Sequence, residues 1–310
     1  MLVLDGVFDT GLATVLDTLG LANGFAKGAT RFAITRVGVR RRVKTGQGLS
    51  VSLAALPRRA PELVIVPALG VKTPAALDAA LASAEARDAS ALLQQWKTEG
   101  SRIAAACTAT FLLASTSLLD RKAATTTWWL ARAFRERFPQ VKLDESKMIV
   151  DAAGLVTAGA ALAHLDLALS IVRRKSPALA RTTAKHLTFD RRASQGAYVM
   201  PDHLAHSDPL VERFEAWARR HLQGFSMGAA ARAVGASDRT LERRVRHALG
   251  KSPVSFVQDL RVQDAMLQLE TTDRSLDEIA ARVGYRDGVT LRTLLREKTG
   301  RGVRELRHAR

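Results

Sequence analysis

The chain has 310 residues, of which 47% are hydrophobic and 25% charged, with a formal net charge of +17 and a single cysteine. That length suits two cores rather than one. No run of about 18 apolar residues offers a membrane span, one cysteine excludes an internal disulfide framework, and the start MLVLDGVFDT lacks the basic and long apolar regions of a secretory signal. A cytoplasmic setting without membrane contact is expected. The positive charge points to phosphate-bearing partners, because lysine and arginine bind nucleic acid by displacing condensed counterions. Residues 1–175 carry 23 basic and 14 acidic side chains and residues 211–310 carry 20 and 13, so charge alone does not say which part meets nucleic acid.

Over the first 175 residues short β-rich apolar runs alternate with helical stretches. Strands are predicted at Leu2 to Leu4, Phe32 to Val39, Leu63 to Val66 and Arg102 to Ala106, and helices at Leu12 to Leu21 and Thr108 to Leu113. A hairpin of Met148 to Val150 with Leu155 to Thr157 and a closing helix from Ala160 to Val172 follow. The alternation implies a flavodoxin-like α/β domain, an open, mostly parallel sheet covered by helices on both faces. Residues 176–209 read as a helix from Pro177 to about Thr188 and then a linker, AYVMPDHLAHSDP, with two prolines and no periodicity. Residues 210–310 read as an all-α domain, with helix and short turn throughout.

The segment SRIAAACTATFLLA places Cys107 between a buried strand and a helix, where the helix dipole is expected to lower its pKa and make it nucleophilic, although an inert core thiol and a redox sensor fit the same sequence. This arrangement, with VPALG upstream and LLDRKAATTTWWLARAFRERFPQV and DAAGLVTAGAALAHLDLAL downstream, resembles the class I glutamine amidotransferase-like superfamily, which includes the PfpI-type proteases, over roughly residues 2–175. Catalysis there needs a base within reach of the thiol. The enzymes carry a histidine in a Thr-Thr-His stretch, whereas Thr125-Thr126-Thr127 puts a threonine at that place. The position of their acidic partner falls near Gly11, with Asp9 the nearest carboxylate, and His164 is expected to have an ordinary packing role. No catalytic residue, enzyme activity, cofactor or metal is therefore expected. By the resemblance and the crossover geometry, Cys107, Thr108, Thr127 and Trp128 line a ligand pocket at the strand ends. Stacked Trp128 and Trp129 would cage a cationic or amino-acid-like effector, or else simply pack their helix onto the sheet.

In the last hundred residues, GAAARAVGASDRTLERRVRHALG and DEIAARVGYRDGVTLRTLLREKTG form an internal repeat, with Ala231 and Ala280, and Gly235 and Gly284, each 49 residues apart. Each copy carries a small residue where two helices cross and, four residues on, a glycine suited to a left-handed turn. Ser275 with Glu278 forms a capping box, Ser237 caps the second helix of the first copy, and Ser252 with Pro253 opens a joining helix. On that helix Val254, Phe256, Val257, Leu260, Ala265, Met266 and Leu269 are expected to keep one apolar face. A rigid joining helix can hold two recognition helices about 34 Å apart, one turn of DNA.

From Phe214 to Arg307 this pattern resembles the C-terminal domain of the AraC/XylS transcription regulators, with Leu291 and Leu295 where that family usually has phenylalanines and Gly302-Val303 for its Ser-Pro. Leu241 and Val245 turn inward, leaving Arg239, Arg243 and Arg246 outward with Thr240 and Glu242 on the flanks. Arg239, Glu242 and Arg243 fall where the family's base contacts lie. In the second copy Leu291 and Leu295 bury, leaving Val289, Thr293 and Arg296 outward, flanked by Thr290 and Arg292. Together the two resemblances match the GlxA group of regulators. They imply a sequence-specific regulator that binds double-stranded DNA, dimerises through its N-terminal domain and answers to a small-molecule effector. The alternative is a cysteine-dependent amidase or hydrolase carrying a nucleic-acid-binding domain.

Overall fold

A computed structural model of the protein describes residues 1–26, 31–190, 192, 194, 195 and 208–307. The chain divides into two compact units, Met1–Gln195 and Gly196–Arg310.

In the first unit, β1 (Arg42–Lys44) and β2 (Ser50–Ser52) form an antiparallel pair. The main sheet has β3 (Leu63–Val66), β4 (Arg102–Ala106) and β8 (Leu155–Ala158) in parallel, edged by antiparallel β7 (Ile149–Ala152). A short parallel pair joins β5 (Ala123–Ala124) to β6 (Lys142–Leu143). The alternation of side chains along a strand assigns the two faces. Ile65, Ala104, Ala106, Val156 and Ala158 pack with α1 (Asp9–Phe25), α6 (Ala163–Lys175) and α7 (Pro177–His186). Val64, Val66, Ile103, Ala105 and Leu155 pack with α2 (Pro74–Leu81), α3 (Ala84–Thr98), α4 (Ala109–Ser115) and α5 (Ala131–Arg137). Covering both faces explains why β4 reads as a continuous small apolar run.

Two expected strands are reduced to bridges, Leu2 to Val37 and Val37 to Ala54. Gly6, at φ +74°, turns the chain soon after Leu4. The backbone of Phe32 is engaged by the Asn23 side chain, which donates to its carbonyl at 2.8 Å and accepts from its N–H at 2.6 Å, in place of a ladder partner. The first unit also runs beyond residue 175. Helix α7 buries Leu179 and Ala180 in the same core as α1 and α6, so the segment expected as a separate helix and linker belongs in part to this unit. Residues 196–207 of the expected linker lie outside the described residues.

The second unit is helical among its described residues: α8 (Pro209–Arg220), α9 (Met227–Ala233), α10 (Asp238–Leu249), α11 (Pro253–Thr271), α12 (Leu276–Val283), α13 (Gly288–Thr299) and α14 (Val303–Arg307). Ser237, Ser252 and Ser275 cap α10, α11 and α12, and the Ser275–Glu278 capping box is complete. The single apolar face expected of α11 is not what forms. Phe256, Val257 and Leu260 enter a core with α8, α9 and α10, while Val262, Ala265 and Leu269 enter another with α12, α13 and α14. At 100° per residue the two sets lie on roughly opposite sides of the helix. Val254, counted in the expected face, is exposed.

The helix-turn-helix turns use Gly235 at φ +70° and Gly284 at φ +92°. A Cβ on Gly235 meets nothing within 4 Å, whereas one on Gly284 would lie 2.4 Å from the Leu222 carbonyl oxygen. Gly235→Ala is therefore expected to lose about 1 kcal/mol from left-handed strain alone, and Gly284→Ala distinctly more. Urea unfolding of the two variants checks this, and equal losses would show that the Leu222 contact is unimportant.

Candidate functional site

Helix α10 is anchored by Leu241 and Val245, both fully buried, and it presents Arg239, Arg243 and Arg246 to solvent, with Thr240 and Glu242 half-buried at its edges. Glu242 accepts two hydrogen bonds from the Arg246 guanidinium, at 2.9 and 3.1 Å, so those two side chains are satisfied by each other as the helix stands. Arg244 turns the other way and grips Asp208 through two hydrogen bonds of 2.6 and 2.7 Å. Asp208 is also the N-cap of α8, which makes Arg244 a structural arginine. Helix α13 repeats the plan: Leu291 and Leu295 are fully buried and Val289, Thr290, Arg292, Thr293 and Arg296 are exposed, Val289 at 67%. Two capped helices thus offer comparable outward faces, one rich in arginine and the other partly apolar.

In the first unit Cys107 ends β4 at φ +55°, a backbone conformation that side-chain-bearing residues rarely adopt. Its N–H donates to the Ala158 carbonyl at 2.9 Å and its carbonyl accepts from the Thr126 hydroxyl at 2.8 Å. The expected activation of the thiol is overturned. Burial pushes its pKa up, and hydrogen bonding from the Ala161 and Thr108 backbone and from the Thr127 and Thr108 side chains only partly opposes this. Thr108 donates its hydroxyl to the Leu69 carbonyl at 2.8 Å. The Thr127 hydroxyl, beside the thiol, makes no hydrogen bond of ordinary geometry.

The tryptophans do not stack. Trp128, buried on a 3-10 turn (Trp128–Leu130), meets Trp129 edge-to-face with centroids 5.4 Å apart and an interplanar angle of 87°. Trp129 packs half-buried against the main core, so the pair fixes this turn to the sheet instead of forming a parallel cage.

His164 is fully buried, and both ring nitrogens are committed: Nε2 accepts from the Ala68 N–H at 3.1 Å and Nδ1 donates to the Ala161 carbonyl at 2.5 Å. Burial lowers its pKa to about 4. Gly11 lies against this ring, where a Cβ would come 2.6 Å from Nε2, and Asp9 accepts from the Gln47 N–H at 3.0 Å. His164 and Asp9 thus each bond backbone groups other than the Cys107 thiol.

Gln195 is a site residue that sequence reasoning misses. This side chain, 1% exposed, reaches the same end of the sheet: its Oε1 accepts from the Ala160 N–H at 2.8 Å and its Nε2 donates to the Thr126 carbonyl at 2.9 Å. Its partners lie 35 to 70 residues away in the chain, and no local motif announces them.

Two measurements follow from these environments. Iodoacetamide should label Cys107 slowly in the native protein near pH 7 and rapidly after unfolding. Fast native labelling with a midpoint below the ordinary thiol value of about 8.5 would contradict a buried, unactivated thiol. Because the folded pKa of His164 is depressed below its unfolded value of about 6.5, its stabilising contribution is present above that pH and is lost as pH falls from about 6.5 to about 4. The loss should be roughly 3 kcal/mol at about 1.4 kcal/mol per pKa unit. Calorimetric unfolding over that range should show it, and His164→Gln should remove the slope.

A helix-turn-helix domain model matches residues 230–309 and a DJ-1/PfpI family model matches residues 78–174. The HTH-type transcriptional regulator GlxA of Rhizobium meliloti is 27% identical over 195 residues, 60% of this chain and 59% of that protein. The HTH-type transcriptional regulator CdhR of Pseudomonas aeruginosa is 26% identical over 183 residues, 57% of this chain and 54% of that protein. The chain thus matches little more than half the length of these relatives. A crystal structure of an AraC family transcriptional regulator from Pseudomonas putida shares the fold, with a TM-score of 0.51 and 19% identity over 60% of this chain and 96% of that one. Among the described residues no helix is long and apolar enough to cross a membrane. The chain thus carries a segment similar to the DJ-1/PfpI family followed by one similar to a helix-turn-helix domain, and it is similar to HTH-type transcriptional regulators such as GlxA.

Proposed function

We propose that the protein is a cytoplasmic, sequence-specific regulator of transcription that binds double-stranded DNA, dimerises through its first unit and is governed by a small molecule held in a catalytically inactive α/β unit. The observation that carries this reading is the outward arginine face of α10 on a helix locked by Leu241 and Val245, repeated in geometry on α13. An exposed arginine in a major groove can hold guanine through two hydrogen bonds, and a valine or threonine meets a thymine methyl. Arg239 and Arg243 have the first capacity and Val289 and Thr293 the second. Glu242 and Arg246 must exchange their mutual bonds for bases or phosphates, and Thr240, Thr290, Arg292 and Arg296 flank the two faces. An inactive first unit is supported by the raised thiol pKa of Cys107 and by the committed nitrogens of His164.

Selection of bound sequences from a random DNA library tests the reading. One shared motif is expected, whereas uniform affinity with steep salt dependence would indicate general nucleic-acid binding instead. Cysteine-dependent turnover of amide or glyoxal substrates, lost in Cys107→Ser, would replace the inactive unit with an enzyme. A bidentate arginine contact is worth about 1–3 kcal/mol of base discrimination. Arg243→Ala should therefore reduce discrimination at its base pair roughly tenfold, and Thr293→Ala much less. Footprinting that finds equal losses would show that both recognition helices read sequence alike.

A further inference from the structure

The carboxamide of Gln195 fills a site shaped for a primary amide. Beyond the bonds to Ala160 and Thr126, its Nε2 lies 3.2 Å from both the Lys147 carbonyl and the Thr125 hydroxyl. One donor and three acceptors thus surround a single amide, and Gly159 presses on it so closely that a Cβ there would lie 2.3 Å from Oε1. The site adjoins the Cys107 turn on two sides. Thr126 gives its hydroxyl to the Cys107 carbonyl and its own carbonyl to Gln195. Ala160 precedes Ala161, whose carbonyl holds His164 and whose backbone hydrogen-bonds the thiol. The amide comes from the last residue of the first unit. That segment is otherwise held by Arg192 on buried Asp166, by the Ser194 hydroxyl on the Ser146 carbonyl and by the Gln195 N–H on the same carbonyl at 2.9 Å.

We propose that Gln195 is an internal ligand occupying an effector site, and that a small molecule bearing a primary carboxamide or ureido group displaces it and releases Ser194 and Gln195 from the Ser146 carbonyl. This rests on reading the first unit as an effector-binding unit and names the ligand class. An incoming amide replaces each hydrogen bond of the displaced one in kind, so the exchange is close to balanced. A tethered competitor acts at an effective concentration on the order of millimolar, and it lowers apparent affinity by the fraction of molecules whose site is empty. Gln195 is the last residue of the first unit, so displacement frees the end of that unit. Occupancy acquires a consequence beyond the site because the ligand favours the released state.

Two variants of the full chain separate the parts of the proposal, with propionamide as the probe. Gln195→Ala empties the site, and Gly159→Ala evicts the carboxamide by filling its space with a methyl group. Calorimetry should find propionamide bound at least tenfold more tightly by Gln195→Ala than by the unaltered protein, and not at all by Gly159→Ala. Hydrogen exchange at the Gln195 N–H should be at least tenfold faster in both variants and in the unaltered protein saturated with propionamide. Absence of propionamide binding to folded Gln195→Ala, or unchanged exchange in Gly159→Ala, would make Gln195 a structural peg and overturn the proposal. If Gln195→Ala fails to fold, Gln195→Asn, whose amide is too short to span the site, carries the same two readouts. Neither readout involves DNA. DNA selection without any propionamide effect overturns this proposal alone, and amide binding without DNA selection overturns only the regulator reading.

Discussion

The second unit depends on one helix being buried twice. Phe256, Val257 and Leu260 of α11 complete the core of the first helix-turn-helix, and Val262, Ala265 and Leu269, on the opposite side, complete that of the second. Neither repeat has enough apolar surface to make a core alone, since α9 and α12 are only 7 and 8 residues long. Sharing a 19-residue helix, about 28 Å long at 1.5 Å per residue, solves this and at the same time fixes the separation and relative rotation of α10 and α13. Two recognition helices on independent cores would lose orientational freedom on binding. Here that freedom is already removed by folding.

In the first unit the same principle, burial, works against chemistry. A turn after β4 places Cys107 where a nucleophile would sit, with a left-handed backbone and amide groups around the sulfur. Those features favour a thiolate, yet desolvation dominates. The α4 helix that follows has only seven residues, and its dipole falls off within a turn. The histidine that shares Ala161 with this turn is fixed as a neutral strut between the Ala68 amide and the Ala161 carbonyl. Gly11 leaves room for that strut and none for a carboxylate in its place. The turn thus has a left-handed cysteine at a strand end, while the nearest histidine is committed to packing and backbone hydrogen bonds.

What could be read in the sequence was what is written locally. Ser275 and Glu278 are three residues apart and cap the same turn, Gly235 and Gly284 each sit where a turn demands positive φ, and Leu241 with Val245 repeats at helical spacing. The two faces of α11 were hidden because their apolar residues follow one another in a single helical stretch, and only knowledge of which neighbour each meets separates them. Helices α2, α3 and α5 went unread because they carry alanine and charge with few periodic anchors, such as Leu77, Leu93, Trp96 and Phe134. Gln195 and the rise in the Cys107 pKa were out of reach for one reason. Both depend on residues far apart in the chain enclosing a polar group, and such enclosure leaves no mark in local composition.

The net charge also needs the structure to acquire meaning. Many of the basic side chains of the second unit are already used internally: Arg244 on Asp208, Arg246 on Glu242, Lys251 and Lys298 on Asp259, Arg261 on the Leu222 carbonyl and the Tyr285 ring, and Arg307 on the Arg274 carbonyl. Arg239 and Arg243 make no ion pair among the described residues and stand exposed on α10. At physiological salt, charges are screened beyond about 8 Å, so the distant excess can hasten encounter with a polyanion but cannot choose a sequence on it. The sequence choice proposed above falls to a few arginines held at fixed positions on α10, while Arg244 ties that helix to Asp208 at the start of α8.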